Sequence, residues 1–189
     1  IYFLPYVTNT LAVGLVFMIL FKQTPYSEGM VNLLINWFGG SSVDFITGPY
    51  WAKMTVLSIY TIWMVMPFKI LVLTGALASV KQSLYDAAKI DSTPKWRVLT
   101  KITVPLLSPM IAYVVITGFI GGFKEYTSIV GIFGEKMGPA DDAYRLNTMV
   151  GFIYDALSQN NQGRASAAAL ILFGIILVVT MINGYVSKK

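Results

Sequence analysis

The sequence predicts an all-α membrane protein: a bundle of about four transmembrane helices with a cytoplasmic loop between the second and third. Three observations carry this expectation. Charged residues make up 12% of the chain and hydrophobic residues 56%, whereas an ordinary soluble domain carries about 25% charge. The mean hydropathy is +0.65. Four apolar runs reach about 20 residues, the length that crosses a hydrocarbon core about 30 Å thick. Between the second and third runs lies a segment of the opposite character, rich in Lys, Asp and Pro.

Composition also narrows the chemistry. The 189 residues contain no cysteine and no histidine. Disulfides and thiolate metal sites are excluded, and the commonest general base and metal ligand is missing. The acids are scattered, with no paired-carboxylate or metal spacing inside a run, which argues against a membrane-embedded enzyme. No phosphate-binding GxxxxGK[ST] loop is present. The first residue is Ile1 and no signal-peptide pattern precedes it. We therefore expect a fragment of a longer chain, with further N-terminal residues outside it, forming one transmembrane domain over 1–189.

The first run, residues 1–21, has no Asp, Glu, Lys or Arg, and carries the polar cluster Thr8, Asn9 and Thr10. In the outer segment that follows, "EGMVNLLINWFGG" places Val31, Leu34, Ile35 and Phe38 at helical spacing. Gly39 and Gly40 then stop it. This is either a short interfacial helix with Trp37 at headgroup level or a folded-back loop. The second run, 54–80, contains one charge, Lys69, just after Pro67. The third, 105–133, is interrupted by Lys124 and Glu125. "NTMVGFIYDALSQNNQG" repeats the outer-helix pattern. The last run, 165–187, opens with the small residues of "GRASAAAL", which suit helix packing.

Orientation follows from basic residues in short loops. Lys81, Lys89, Lys95, Arg97 and Lys101 fall in 81–104, and Lys188 and Lys189 in the tail. The other loops balance Lys22 and Lys53 with Glu28 and Asp44, and Lys136 and Arg145 with Glu135, Asp141 and Asp142. The loop 81–104 and the tail are thus expected in the cytoplasm.

That loop is longer than the 2–8 residues that usually join helices in a bundle. Ser83 and Asp86 stand at capping-box spacing, so a helix is expected over 84–90. Asp91, Ser92 and Thr93 break it. Thr93 and Pro94 mark a second start. The second helix runs through "KWRVLTKI", with Trp96, Leu99 and Ile102 near one face. Pro105 and Pro109 suit the entry of the third span or a kink in it. Two short capped helices held between spans are an element presented to a partner. A passive channel would leave them without a purpose.

Here the chain resembles a known family. Permease subunits of binding-protein-dependent ABC importers carry a cytoplasmic motif of E-A-A, three residues, G, nine residues and I-x-L-P. Asp86, Ala87 and Ala88 match its first element with Asp for Glu. Ser92 stands at the Gly position. Ile102, Thr103, Val104 and Pro105 match the last element with Val for Leu. The flanks "YDAAKID" and "ITVPLLSP" are similar to the maltose-type sugar branch, and the likeness extends over nearly the whole chain.

The resemblance implies an ABC-importer permease fold of about five or six spans and a coupling role for the loop. Asp86, Ala87, Ala88, Ser92, Pro94, Trp96, Ile102 and Pro105 would form coupling helices docked on an ATPase subunit. Asp86 would pair with a basic group there. The implied partners are a second permease subunit, an ABC ATPase dimer and an extracytoplasmic solute-binding protein, in a bacterial or archaeal cytoplasmic membrane. No nucleic acid is implied. ATP and Mg would belong to the ATPase, with no cofactor in this chain. The implied cargo is a carbohydrate, with a non-sugar solute as the alternative.

Ionisable groups within spans default to functional hypotheses. Asn9, Lys69, Lys124, Glu125 and Tyr126 are therefore candidates for the substrate path. Each has a structural alternative. Lys69 can snorkel, Lys124 and Glu125 can neutralise each other or mark a membrane boundary, and Asn9 can bond across helices.

Overall fold

The computed structural model describes residues 3–134 and 146–186. Glu135, Lys136, Asp141, Asp142 and Arg145, with the tail from 187 onward, lie outside the described residues. The described chain is almost wholly helical, as the fold class requires, with one two-stranded hairpin. Among the described residues, three helices are long and apolar enough to cross a membrane: Tyr50–Ala78, Lys95–Phe123 and Gln162–Ile182. The chain divides into two compact units. One comprises Ile1–Pro67 and Phe123–Leu172, the other Phe68–Gly122 and Phe173–Lys189.

The first unit begins with α1 (Leu4–Val7) and α2 (Thr10–Phe21). Here the first apolar run departs from the expected single span. Pro5 opens α1, and Asn9 caps α2 through its Oδ1, which accepts the N–H groups of Leu11 at 2.9 Å and Ala12 at 3.2 Å. A cap satisfies helix-end amides and thereby starts a new helix. The remaining 12 residues of α2 reach only about 18 Å. Strands β1 (Gln23–Thr24) and β2 (Ser27–Glu28) form a hairpin leading to α3 (Met30–Trp37).

The helix α3 matches the outer-helix pattern and is apolar on two sides, with Val31 and Ile35 packed against the core. Met30, Leu33, Leu34, Trp37 and Phe38 are exposed. Asn32 is fully buried, donating to the Val43 carbonyl and accepting the Val43 N–H, both at 2.9 Å. The helix closes at Gly39, whose φ is 82°.

Helix α4 (Tyr50–Ala78) contributes residues up to Pro67 to this unit. Its first turns carry Ala52, Lys53, Val56 and Tyr60, all essentially inaccessible. Lys53 therefore belongs to the packed interior and not, as the charge pattern suggested, to an outer loop. Tyr60 donates its hydroxyl to the Thr10 carbonyl at 2.8 Å, and its ring meets Phe17 edge-on at 5.1 Å. The core gathers Phe21, Phe45, Val56, Tyr60, Ile129, Ile132 and Phe133.

The third apolar run also differs from its expected bounds. It starts earlier, since α6 (Lys95–Val98), a π-helical turn (Leu99–Thr103) and α7 (Val104–Phe123) form one continuous helix. It also ends earlier, breaking at Lys124–Tyr126 before α8 (Thr127–Phe133). Helix α8 packs closely on α2. A Cβ on Gly14 would stand 2.9 Å from the α-carbon of Gly131, so the two backbones meet only because both residues are glycine. Helix α9 (Met149–Ser158) matches the second outer pattern, capped by the Thr148 hydroxyl, and α10 (Gln162–Val186) is the last long helix.

Candidate functional site

The second unit holds the loop that the motif singled out. Helix α5 (Gln82–Ile90) follows α4 directly. Its start lies two residues earlier than expected, and no side chain caps it. The Ser83–Asp86 capping box is thus not formed. The Asp86 carboxylate instead faces along the helix, accepting from Lys89 Nζ at 3.3 Å and Gln82 Nε2 at 3.4 Å. The Asp86–Lys89 pair is exposed. Such pairs contribute little to stability, because water already solvates both charges and salt screens them.

The end of α5 explains the glycine position of the motif. Ser92 sits at φ 49°, in the left-handed region. Its N–H bonds the Lys89 carbonyl at 3.0 Å, and the Thr93 N–H bonds the Ala88 carbonyl at 2.9 Å. This is a Schellman cap, which uses a left-handed residue just past the helix and favours glycine there because a Cβ crowds that conformation. The same pair of bonds closes α3 at Gly39 and α9 at Asn160. Ser92, at the Gly position of the motif, makes this left-handed turn.

Beyond the turn, Pro94 occupies the cap position of α6, one residue later than the expected start at Thr93. Neither residue supplies a side-chain cap bond. The π turn that follows lies one turn ahead of Pro105. In a regular α-helix the Pro105 ring would press on the carbonyl four residues back, and a wider turn relieves that clash. Pro105 and Pro109 are therefore inside a continuing helix rather than at its entry. Thr103 is buried in the π turn, and its Oγ1 lies 3.2 Å from the Tyr85 hydroxyl. Ala88 is buried and Ala87 exposed.

The loop exposes both apolar and charged side chains. Leu84, Ile90, Trp96 and Leu99 are exposed, Ile90 by 84% and Trp96 by 73%. Ile102 is half-buried. Lys81, Asp86, Lys89, Asp91, Lys95, Arg97 and Lys101 are all exposed. Exposed apolar side chains of this kind fit contact with a protein partner or with the membrane surface.

The other sequence candidates each have their own local surroundings. Asn9 is occupied in capping α2. Lys69 is half-buried on α4 and reaches over Gly118 of α7, where a Cβ would stand 2.6 Å from its Nζ. Among the described residues, no carboxylate pairs with it. Lys124 and Glu125 do not form the mutual pair suggested by their adjacency. Lys124 is exposed, while Glu125 Oε1 accepts the Ser128 N–H at 3.1 Å and satisfies the start of α8. The Tyr126 ring stacks on Tyr154 at 4.5 Å.

Several contacts escape sequence reading. Tyr85 and Thr103 meet across 18 residues, Tyr60 and Thr10 across 50. No periodicity announces either. Outside the membrane-crossing helices, burial opposes ionisation of Asp44. The Thr47 hydroxyl and the amides of Thr47, Ile46 and Gly48 outweigh it and hold the carboxyl below its usual range.

The full length, residues 1–189, matches the family described as binding-protein-dependent transport system inner membrane component. The chain is 29% identical over 98% of its length to the arabinooligosaccharides transport system permease protein AraP of Halalkalibacterium halodurans, covering 57% of that protein. It is 30% identical over 96% of its length to the lactose transport system permease protein LacF of Rhizobium radiobacter, covering 58% of it. A maltose/maltodextrin permease protein, MalF of Vibrio parahaemolyticus, is 27% identical, and the chain covers 36% of it. The chain thus spans a little over half the length of the first two relatives. Among solved structures, a bacterial ABC transporter involved in import of the acidic polysaccharide alginate aligns with a TM-score of 0.84 at 23% identity, over 100% of this chain and 63% of that one. The motif, its turn geometry and the family match over the whole length agree: the chain belongs to the binding-protein-dependent transport system inner membrane components.

Proposed function

We propose that this chain is part of the permease subunit of an ATP-driven carbohydrate importer, and that residues 81–104 dock a separate ATPase subunit. The observation that carries the reading is the helix pair at the foot of α7. Short helix α5 meets the foot of the long helix at a Schellman turn, Ile90 and Trp96 on the two sides of the turn are exposed, and Asp86 stays in solvent where a basic partner group can reach it. The names of the relatives AraP, LacF and MalF support a saccharide as cargo. The working assembly would add a second permease subunit, a second ATPase copy and an extracytoplasmic solute-binding protein. ATP and Mg would bind the ATPase, and this chain would contribute the path and the dock without catalysing hydrolysis. The loop 81–104 and the tail would face the cytoplasm.

Of the path candidates, Lys69 is favoured. It is a cation within an apolar helix, beside Pro67 and over a glycine that leaves it room. Carboxylate-bearing saccharides fit it best. Asn9 and Glu125 serve helix ends, so their removal would act first on folding. Tyr126, stacked on Tyr154, offers an aromatic face, and Lys124 stays at the break after α7.

The test is purification of the tagged full-length subunit in mild detergent, native against Asp86→Lys. An ATPase and a second permease should accompany the native protein, and the ATPase should be lost from the charge-reversed one. Identical behaviour of the two, with no ATPase in either, would overturn the dock. Adding binding protein with neutral or acidic oligosaccharides then identifies the cargo through stimulated hydrolysis. In that assay Lys69→Met should weaken the response to acidic sugars only.

A further inference from the structure

The proposed dock needs a mechanical link to the membrane, because a surface helix tethered by a flexible loop would absorb a push without passing it on. Helix α5 leaves α4 through residues 79–81 and reaches α6 through the left-handed turn at Ser92. Most residues of both connections are exposed, with Val80 and Thr93 half-buried. Among the described residues, one side-chain hydrogen bond stands between α5 and the helix that continues into the membrane, from Tyr85 to Thr103 at 3.2 Å. It lies one residue from Asp86 in α5, and one residue before α7 begins. Thr103 is among the few buried polar residues, and its hydroxyl also approaches the Val98 carbonyl at 3.4 Å. The bond therefore ends inside the π turn, where the backbone has already left the regular α-helical pattern.

We propose that Tyr85 and Thr103 are positioning residues, forming the joint through which movement of α5 reaches α7. This rests on the reading of 81–104 as an ATPase dock. Tyr85 makes α5 and the π turn move as one body. The π turn is where the long helix already departs from the α pattern, its wider hydrogen-bonded ring making room for Pro105. Pro105 keeps that point from closing into regular α-helix, because it supplies no N–H. Neither residue needs to touch the ATPase.

The experiment uses the full-length subunit purified with its partner subunits in lipid nanodiscs. The 189 residues contain no cysteine. A single Val115→Cys, at an exposed position of α7, then reports by its rate of thiol labelling with and without Mg-ATP, any cysteine elsewhere in the subunit being replaced. Tyr85→Phe and Thr103→Val each remove one hydroxyl at nearly constant shape. Both should retain the ATPase on purification and reduce the nucleotide-dependent change in labelling about two- to tenfold, the span of one neutral hydrogen bond. Thr103→Ser keeps the hydroxyl and should restore the response, and the double variant should be no worse than either single one. A purely structural role would lower yield without this pattern. Unchanged labelling in both variants, or Thr103→Ser as impaired as Thr103→Val, overturns the joint while leaving the dock intact. Absence of the ATPase from the unaltered subunit overturns the dock and the joint together.

Discussion

The two units are made from helices of the same apolar character, and they use it differently. In the first, Ala52, Val56, Tyr60 and Ile132 are shut away from any surface, and even Asn32 and Lys53 are inside. In the second, Ala88 and Thr103 are the buried residues among those described, while Ile70, Leu71, Val104, Leu106, Tyr113, Val115 and Phe119 stay exposed. A helix apolar on all sides is covered by lipid or by other protein. The first unit holds itself together within the chain. The second buries little of its own side-chain surface within the chain.

The largest contrast should come from glycine. Gly14→Val drives a side chain into the Gly131 backbone, where neither helix can give way alone. It should cost about 1–3 kcal/mol or more, seen as a lowered unfolding temperature of the detergent-solubilised subunit. Gly121→Ala meets nothing within 4 Å and should be neutral or slightly stabilising, since alanine is the better helix former. Equal losses at the two sites would erase the distinction between the units.

A smaller effect of opposite sign is expected at Ser92. Ser92→Gly relieves the crowding of a left-handed residue by its Cβ and should raise hydrogen-exchange protection of the last-turn amides of α5 up to about fivefold. Ser92→Val should lower it. No change in either would mean that α5 is held by its neighbours rather than by its own cap.

The smallest effect separates two aspartates. Asp44, in the first unit, has its carboxylate hydrogen-bonded by Thr47 and nearby amides, so its folded-state pKa is lowered. A lowered carboxyl pKa contributes stability above the unfolded value, near pH 4. That stability is lost as pH falls through the folded value. Asp44→Asn should therefore flatten the acid side of the stability curve. Asp86→Asn, in the second unit, should leave stability nearly unchanged because its ion pair is exposed. An acid limb equally sensitive to both residues would contradict the assignment.

Much of this is legible along the chain, and the reason varies with the feature. The outer helix over Met30–Trp37 is readable because its spacing and its glycine stop are local. The break at 91–93 is readable for the same reason. The capping-box spacing at Ser83 misleads, because the helix begins two residues earlier and leaves Asp86 nowhere near a free amide. The first run looks like a span by composition, yet Asn9 starts a new helix inside it. Glu125 looks like a partner for Lys124, but the nearby start of α8 offers it an unsatisfied N–H. Within 81–104, the motif locates Asp86, Ala88 and Pro105 and is silent about Tyr85, whose hydroxyl meets a residue 18 positions away.

The sequence by itself determined the membrane class, the family motif and the left-handed turn position, since hydropathy, spacing and capping chemistry act over a few residues. Tertiary structure alone decided that Gly14 meets Gly131, that Lys53 is interior, and that Tyr85 reaches Thr103. Those outcomes depend on how separate helices approach one another in space, and that geometry is set by the summed packing of many weak contacts rather than by any short stretch of chain.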